Sequence, residues 1–175
     1  MLQIIGVVVV IALAVLLLYA AMKPHTFRIE RAVSMRAAPE KIFPLLNDFH
    51  QWELWSPWEK DAASLKRRYS GPTSGEGAVY EWSGDRQIGQ GRMEILSSLP
   101  TSKLVIKIDF IKPMQAHNTI EFTLTRQGDA TLVTQAMYGP HSYLAKLMTI
   151  FFPMDKMVGP KFEAGLANLR ALVER

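Results

Sequence analysis

The chain has no cysteine among its 175 residues, and this absence excludes several kinds of chemistry at once. Disulfide bonds, thiol nucleophiles and cysteine-ligated zinc are all ruled out. The compartment stays open, because a cysteine-free protein suits oxidising and reducing environments alike. A chain of this length can fold as one domain without a metal or a disulfide, and it leaves room for an appendage.

Catalytic and cofactor motifs are missing as well. There is no G-x-S-x-G and no H-E-x-x-H, and the four histidines have no metal-ligand spacing. The stretch Gly89–Glu94 lacks the third glycine of the dinucleotide pattern, and Gly71–Gly77 lacks the Lys-Ser/Thr of a phosphate loop. We therefore predict no metal and no cofactor, assign no catalytic residue and lean against an enzyme. His117, beside Asn118, is the one remaining acid–base candidate.

Charged residues are missing from the start of the chain. Residues 2–22 contain none, so all 20 basic and 16 acidic residues lie after them. About 20 apolar residues suffice to cross a bilayer core, and Tyr19 and Lys23 supply the aromatic and basic anchors expected at one end. We predict a transmembrane anchor over residues 1–23 and a separate domain over residues 24–175.

Two properties of this segment stay open. A cleaved signal peptide is the alternative to an anchor, although the apolar core is long for one and has no basic start. Lys and Arg follow the segment at positions 23, 28, 31 and 36 and none precede it, which predicts a cytoplasmic domain. Export of the domain behind a signal anchor is the alternative. The four basic residues could also contact lipid headgroups.

The formal net charge of +4 is too small to predict a nucleic-acid partner. The clearest basic cluster, Lys66–Arg68, lies between Leu65 and Tyr69. This arrangement suits an exposed strand better than a nucleic-acid-binding stripe. We therefore predict no nucleic-acid binding.

Alternation of apolar and polar residues predicts a mostly antiparallel sheet after the anchor, because the separating turns are short. Short helical segments follow the first strand, beginning at Ala38–Glu40. Seven runs alternate in this way: 26–35, 65–70, 77–83, 88–96, 104–111, 118–125 and 131–138.

The C-terminal part is predicted to be helical. Phe162, Leu166, Leu169 and Val173 lie at i, i+4, i+7 and i+11, which places them on one face of a long helix. Gly159-Pro160 marks either its start or a kink. No other element is long enough to cover the apolar face of the sheet.

Three stretches of the chain and a group of glycines resemble those of a known family. The stretches APEKIF (38–43), WELWSPW (52–58) and KFEAGLANL (161–169), with the glycines at 84, 89 and 91, are similar in kind and order to the START-like helix-grip (SRPBCC) superfamily. The resemblance covers residues 26–174 and is to the polyketide cyclase/dehydrase and lipid-transport branch. It implies an α+β helix-grip fold, with a curved antiparallel sheet of about seven strands wrapped around a long C-terminal helix. The predicted transmembrane helix is an addition to that pattern.

A long helix laid over a curved sheet leaves a gap, and a gap too wide for side chains to fill must hold water or a ligand. The glycines at 84, 89 and 91 let strands bend, and the methionines at 93, 114, 137, 148, 154 and 157 suit an adaptable interior. Asn118 and Gln135 are polar residues on apolar strands and could orient a ligand, whereas Trp52 and Trp58 are expected to plug the cup. The candidate ligand-binding residues are Trp55, Tyr80, Trp82, Met93, Asn118, Phe122, Gln135, Met137, Met157 and Phe162. For each of them the plainer interpretation is ordinary core packing.

Three functions remain in view. The first is membrane-anchored binding or transfer of a hydrophobic small molecule, such as a lipid, quinone or polyketide-like compound, in an internal cavity. The second is a cyclase/dehydrase-like enzyme acting on a hydrophobic substrate, and the third is an interaction module whose cavity is filled by its own side chains. The expected partners are the small molecule and, through residues 2–22, the membrane. The oligomeric state is not predicted.

Overall fold

A computed structural model of the chain describes residues 1–60, 64–86 and 88–175. Seven strands and six α-helices occur in these ranges. In chain order they are α1 (Leu2–Met22), β1 (Thr26–Met35), α2 (Pro39–Asn47), a 3-10 turn (Phe49–Gln51), α3 (Trp52–Trp55), α4 (Pro57–Lys60), β2 (Lys66–Ser70), β3 (Val79–Ser83), β4 (Gln90–Leu99), β5 (Lys103–Lys112), β6 (Ala116–Gln127), β7 (Ala130–Pro140), α5 (Tyr143–Phe151) and α6 (Met154–Val173).

The strands form one antiparallel sheet in the order β1-β7-β6-β5-β4-β3-β2. Consecutive strands from β2 to β7 are neighbours, as short turns require, and β1 joins the sheet beside β7. The predicted α+β helix-grip fold, with seven strands and a long C-terminal helix, is confirmed. The alternation located all seven strands, with ends that differ from the observed ones by three residues or fewer.

The long helix α6 covers the sheet with the face that its sequence pattern predicts. Phe162, Leu166, Leu169 and Val173 are all buried. The helix begins at Met154, so Gly159 and Pro160 lie inside it rather than at its start. Close packing against β1 explains the glycine, because a Cβ at position 159 would overlap the Arg31 guanidinium.

Ion pairs fasten α6 to the first strand. Arg31 donates to Asp155 at 2.9 Å and to Glu163 at 2.6 Å, and the backbone N–H of Arg36 donates to Glu174. These bonds do not favour the expected contacts of Arg31 and Arg36 with lipid headgroups. Arg31 is held by α6, and Arg36 lies past the end of β1 that is far from α1.

Candidate ligand-binding cavity

A cavity of about 590 Å³ lies between the sheet, α6 and the short helices α3 and α4, within the usual size range for small-molecule sites. Aromatic and aliphatic side chains form most of its wall. The lining residues are Trp52, Trp55, Ser56, Trp58, Glu59, Leu65, Tyr80, Trp82, Ile88, Met93, Ile108, Phe110, Lys112, Pro113, Ile120, Gln135, Met137, Val158, Lys161 and Phe162.

Strand pairing brings the sheet side of the wall together. Tyr80 on β3 pairs with Met93 on β4, which in turn pairs with Ile108 on β5. Trp82 is opposite Gly91, where a Cβ would overlap the indole ring. The glycine therefore lets the Trp82 ring lie across β4.

Two tryptophans close the other side of the cavity. The Trp52 and Trp55 rings lie 5.0 Å apart, and each packs edge-on against Phe122 with 6.1 Å between ring centroids. Their indole N–H groups donate to the carbonyls of Leu46 and Leu45, at 3.0 Å in each case. Both donors are thus already paired, and these rings offer a ligand apolar surface only.

The carboxylate of Glu59 is a largely buried charged group in the wall, and it too is already hydrogen-bonded. It accepts from the Tyr80 hydroxyl at 2.6 Å and from Arg67 Nε at 2.7 Å. Burial and the bond to Glu59 raise the pKa of Tyr80 above its usual range, and burial raises the pKa of Tyr69 to about 12. Tyr80 therefore remains a protonated donor, committed to Glu59, at physiological pH.

Gln135 on β7 presents an unpaired acceptor. The residue is 2% exposed, it lines the cavity, and its Oε1 has no hydrogen-bond partner within residues 1–60, 64–86 and 88–175. A buried carbonyl oxygen left unpaired costs about 1–3 kcal/mol. The Gln135 carboxamide is therefore placed to accept a hydrogen bond from a guest.

A model of the protein family described as "Polyketide cyclase / dehydrase and lipid transport" matches residues 26–174. The chain belongs to this family. The match covers nearly everything that follows α1, and the resemblance to the SRPBCC proteins is confirmed. Membership supports binding of a hydrophobic ligand or a cyclase-like role in general terms.

Solved structures resemble this family member in fold. The Aha1 dimer from Colwellia psychrerythraea has a TM-score of 0.60 at 17% identity, over 85% of this chain and 96% of that one. Protein CV1439 from Chromobacterium violaceum has a TM-score of 0.58 at 15% identity, over 87% and 99%. Protein MLL2253 from Mesorhizobium loti has a TM-score of 0.58 at 20% identity, over 86% and 97%. No curated protein matches the sequence.

Most of the candidate residues named from the sequence come together at the cavity of this family member. Seven of the ten line it: Trp55, Tyr80, Trp82, Met93, Gln135, Met137 and Phe162. Trp52 and Trp58, which are expected to form a plug, line the cavity as well. Glu59, Val158 and Lys161 line it without being among the predicted residues, although helical spacing places positions 158, 161 and 162 on one face.

Three candidates lie outside the wall. Phe122 is buried beneath the two tryptophans, and Asn118 points inward but packs its carboxamide against the backbone at Gly139. Met157 is 63% exposed on the outer side of α6. Because α6 already begins at Met154, Met157 is a helical residue. Its side chain points to a different side of the helix from that of Val158, which lines the cavity.

Other expectations about the interior need correction. His117 is 69% exposed and its Nδ1 lies 2.7 Å from Asp109. The two residues are cross-strand partners on the outer face of the sheet. The best acid–base candidate therefore does not reach the cavity. Met114 and Met148 are also exposed rather than interior, because one lies in the β5–β6 turn and the other on the outer side of α5.

Proposed function

We propose that this protein binds or transfers a hydrophobic small molecule, such as a lipid, quinone or polyketide-like compound, while α1 anchors it in a membrane. The observation that carries the proposal is the largely apolar cavity of about 590 Å³. The proposed ligand contacts are the seven lining residues named above. Gln135 would orient a guest that has an apolar body and one donor, such as a hydroxyl or an amide N–H.

The anchor belongs to the same proposal. Among the described residues one helix, spanning Gln3–Met22, is long and apolar enough to cross a membrane. Its side chains are nearly all exposed, unlike those of a core helix. We propose residues 1–23 as the anchor and 24–175 as the ligand-binding domain, because a tether holds a carrier where an apolar cargo dissolves.

The enzyme alternative rests on the Glu59–Tyr80 pair, because a carboxylate and a phenol at a cavity wall are general acid–base groups. Both oxygens of Glu59 are already bonded, which favours a structural role. An added compound whose mass changes during incubation with the protein would favour the enzyme over the carrier.

Filling the cavity tests the proposal. The change is Met137→Trp, which places a larger ring inside the wall, and the expected result is a roughly tenfold loss of occupancy. Native mass spectrometry of the detergent-released chain measures both co-purified apolar molecules and added N-phenyl-1-naphthylamine, an apolar probe with one N–H donor.

The matched control is Leu99→Trp, which places the same ring at the exposed end of β4. It should bind like the parent chain. Equal binding by the Met137→Trp and Leu99→Trp variants would mean that the ligand binds outside this cavity. A parent chain that carries no guest and binds no probe would favour the interaction module.

We also propose that the domain faces the cytoplasm, on the basis of the basic residues that follow the anchor. Because the chain has no cysteine, Leu99→Cys creates a single thiol at the exposed end of β4. An impermeant maleimide should leave this thiol unlabelled in intact cells and label it after lysis. Labelling in intact cells would show that the domain is exported.

A further inference from the structure

The link between the anchor and the sheet is short. Helix α1 ends at Met22 and β1 begins at Thr26, and the four steps of chain between these two residues reach at most about 14 Å. The end of the sheet that contains Thr26 is therefore held close to the surface of any membrane that α1 crosses. We call it the anchored end.

Helix α5 is packed directly on the last turns of α1. The Tyr143 hydroxyl donates to the carbonyl of Leu17 at 3.0 Å, and Lys23 Nζ donates to Thr149 Oγ1 at 3.4 Å. Leu17 lies five residues before the end of α1, which is about 7–8 Å along the helix axis. Helix α5 therefore contacts both the last turns of α1 and Lys23, the residue that follows α1.

An apolar stripe runs along the outer side of α5. Leu144, Met148 and Phe151 lie at i, i+4 and i+7, and all three are exposed. Lys146, two residues beyond Leu144 and so about 200° around the axis, is 2% exposed and faces the domain. The stripe therefore points away from the folded body, and no described residue covers it.

The wall of the cavity reaches the same end of the molecule. Two of its exposed lining residues, Lys112 and Pro113, lie just beyond the pairing of Phe110 with Ala116. Antiparallel register places this turn at the anchored end, where Thr26 pairs with Pro140. On the helix side of the wall, Val158 lies in the first turns of α6, which directly follows α5.

We infer that α5 lies in the headgroup interface of the membrane and holds the mouth of the cavity against the lipid surface. The partner is the bilayer itself. The stripe continues an apolar surface that begins on α1, and a basic residue, Lys23, stands at the junction as interfacial anchors do. A guest could then pass between leaflet and cavity without crossing water. The inference rests on the proposed anchoring by α1.

Depth measurement tests this inference with the full chain. Single cysteines at Phe151, Leu144, Leu99 and Val10 carry nitroxide labels in vesicles of phosphatidylcholine with phosphatidylglycerol. Collisions with oxygen and with a water-soluble nickel complex report the depth of each label. Labels at 151 and 144 should lie about 5–10 Å inside the headgroup boundary, the label at 99 in water and the label at 10 in hydrocarbon.

The outcomes separate the two proposals. Aqueous labels at 151 and 144 beside a buried label at 10 would overturn the interfacial helix and leave the anchor standing. An aqueous label at 10 would overturn the anchor and this inference with it. A third outcome is that labels at 151 and 144 are shielded from both reagents and that a second nearby label broadens their spectra. Another copy of the chain would then cover the stripe, which also overturns the inference.

Discussion

Trp55→Ala is expected to lower the free energy of unfolding by about 3–5 kcal/mol, the usual cost of truncating a buried tryptophan. Trp55 is 1% exposed, packs at a tilt against Trp52 and edge-on against Phe122, and contacts α6 near Gly165. Its loss would leave a void where α3, the sheet and α6 meet. Domain stabilities are about 5–15 kcal/mol, so a large fraction would be lost. Urea unfolding in mild detergent, followed by circular dichroism of the sheet, measures the change.

The matched control is Trp58→Ala, which removes the same side chain from a different environment. Trp58 is 46% exposed, and its described ring contact is an edge-on one with Phe162. We expect a loss of about 1 kcal/mol or less. If the two variants were equally destabilised, the buried pair of tryptophans would not be the junction that we describe.

Val10→Lys combined with Leu13→Lys is expected to move the chain out of the membrane fraction. The two residues lie in the middle of α1, where each charge raises the free energy of insertion by about 2.5–3.5 kcal/mol. Together they offset much of the apolar transfer energy of the helix. Alkaline carbonate extraction of cell membranes, followed by detection of the chain in pellet and supernatant, measures the distribution.

Met22→Lys is the control for this change, because a lysine beside Lys23 can extend its ammonium group to the interface. The control should stay in the pellet. Retention of the double variant in the pellet would mean that the apolar run does not hold the protein. The intact mass of the parent chain in the same preparation distinguishes an anchor, which keeps residues 1–22, from a cleaved signal peptide.

Local patterns in the sequence predicted most of the fold. Side chains alternate along a strand with period two, so Ile108 and Ile120 could be assigned to the inner face without knowledge of their neighbours. The same holds for the face of α6 that contains Phe162 and Leu166, and for the apolar length of α1. Each of these properties depends on residues close together in the chain.

The same local patterns did not predict which inward-facing residues line the cavity. Phe122 and Met137 both face inward, yet only Met137 reaches the cavity, because the tryptophans of α3 cover Phe122. Glu59 follows Pro57 on a short helix that looks like surface, and it becomes part of the wall through its bonds to Tyr80 and Arg67.

The sequence by itself determined the strands, the covering helix and the apolar segment, because periodicity and hydrophobic length are properties of consecutive residues. Only the tertiary structure decided that Gln135 keeps an unpaired oxygen inside the cavity and that α5 rests on α1. The contact of α5 with α1 joins segments more than 100 positions apart, and the surroundings of Gln135 depend on neighbouring strands. Curvature of the sheet and the placement of the helices, not local spacing, determine which of these groups meet.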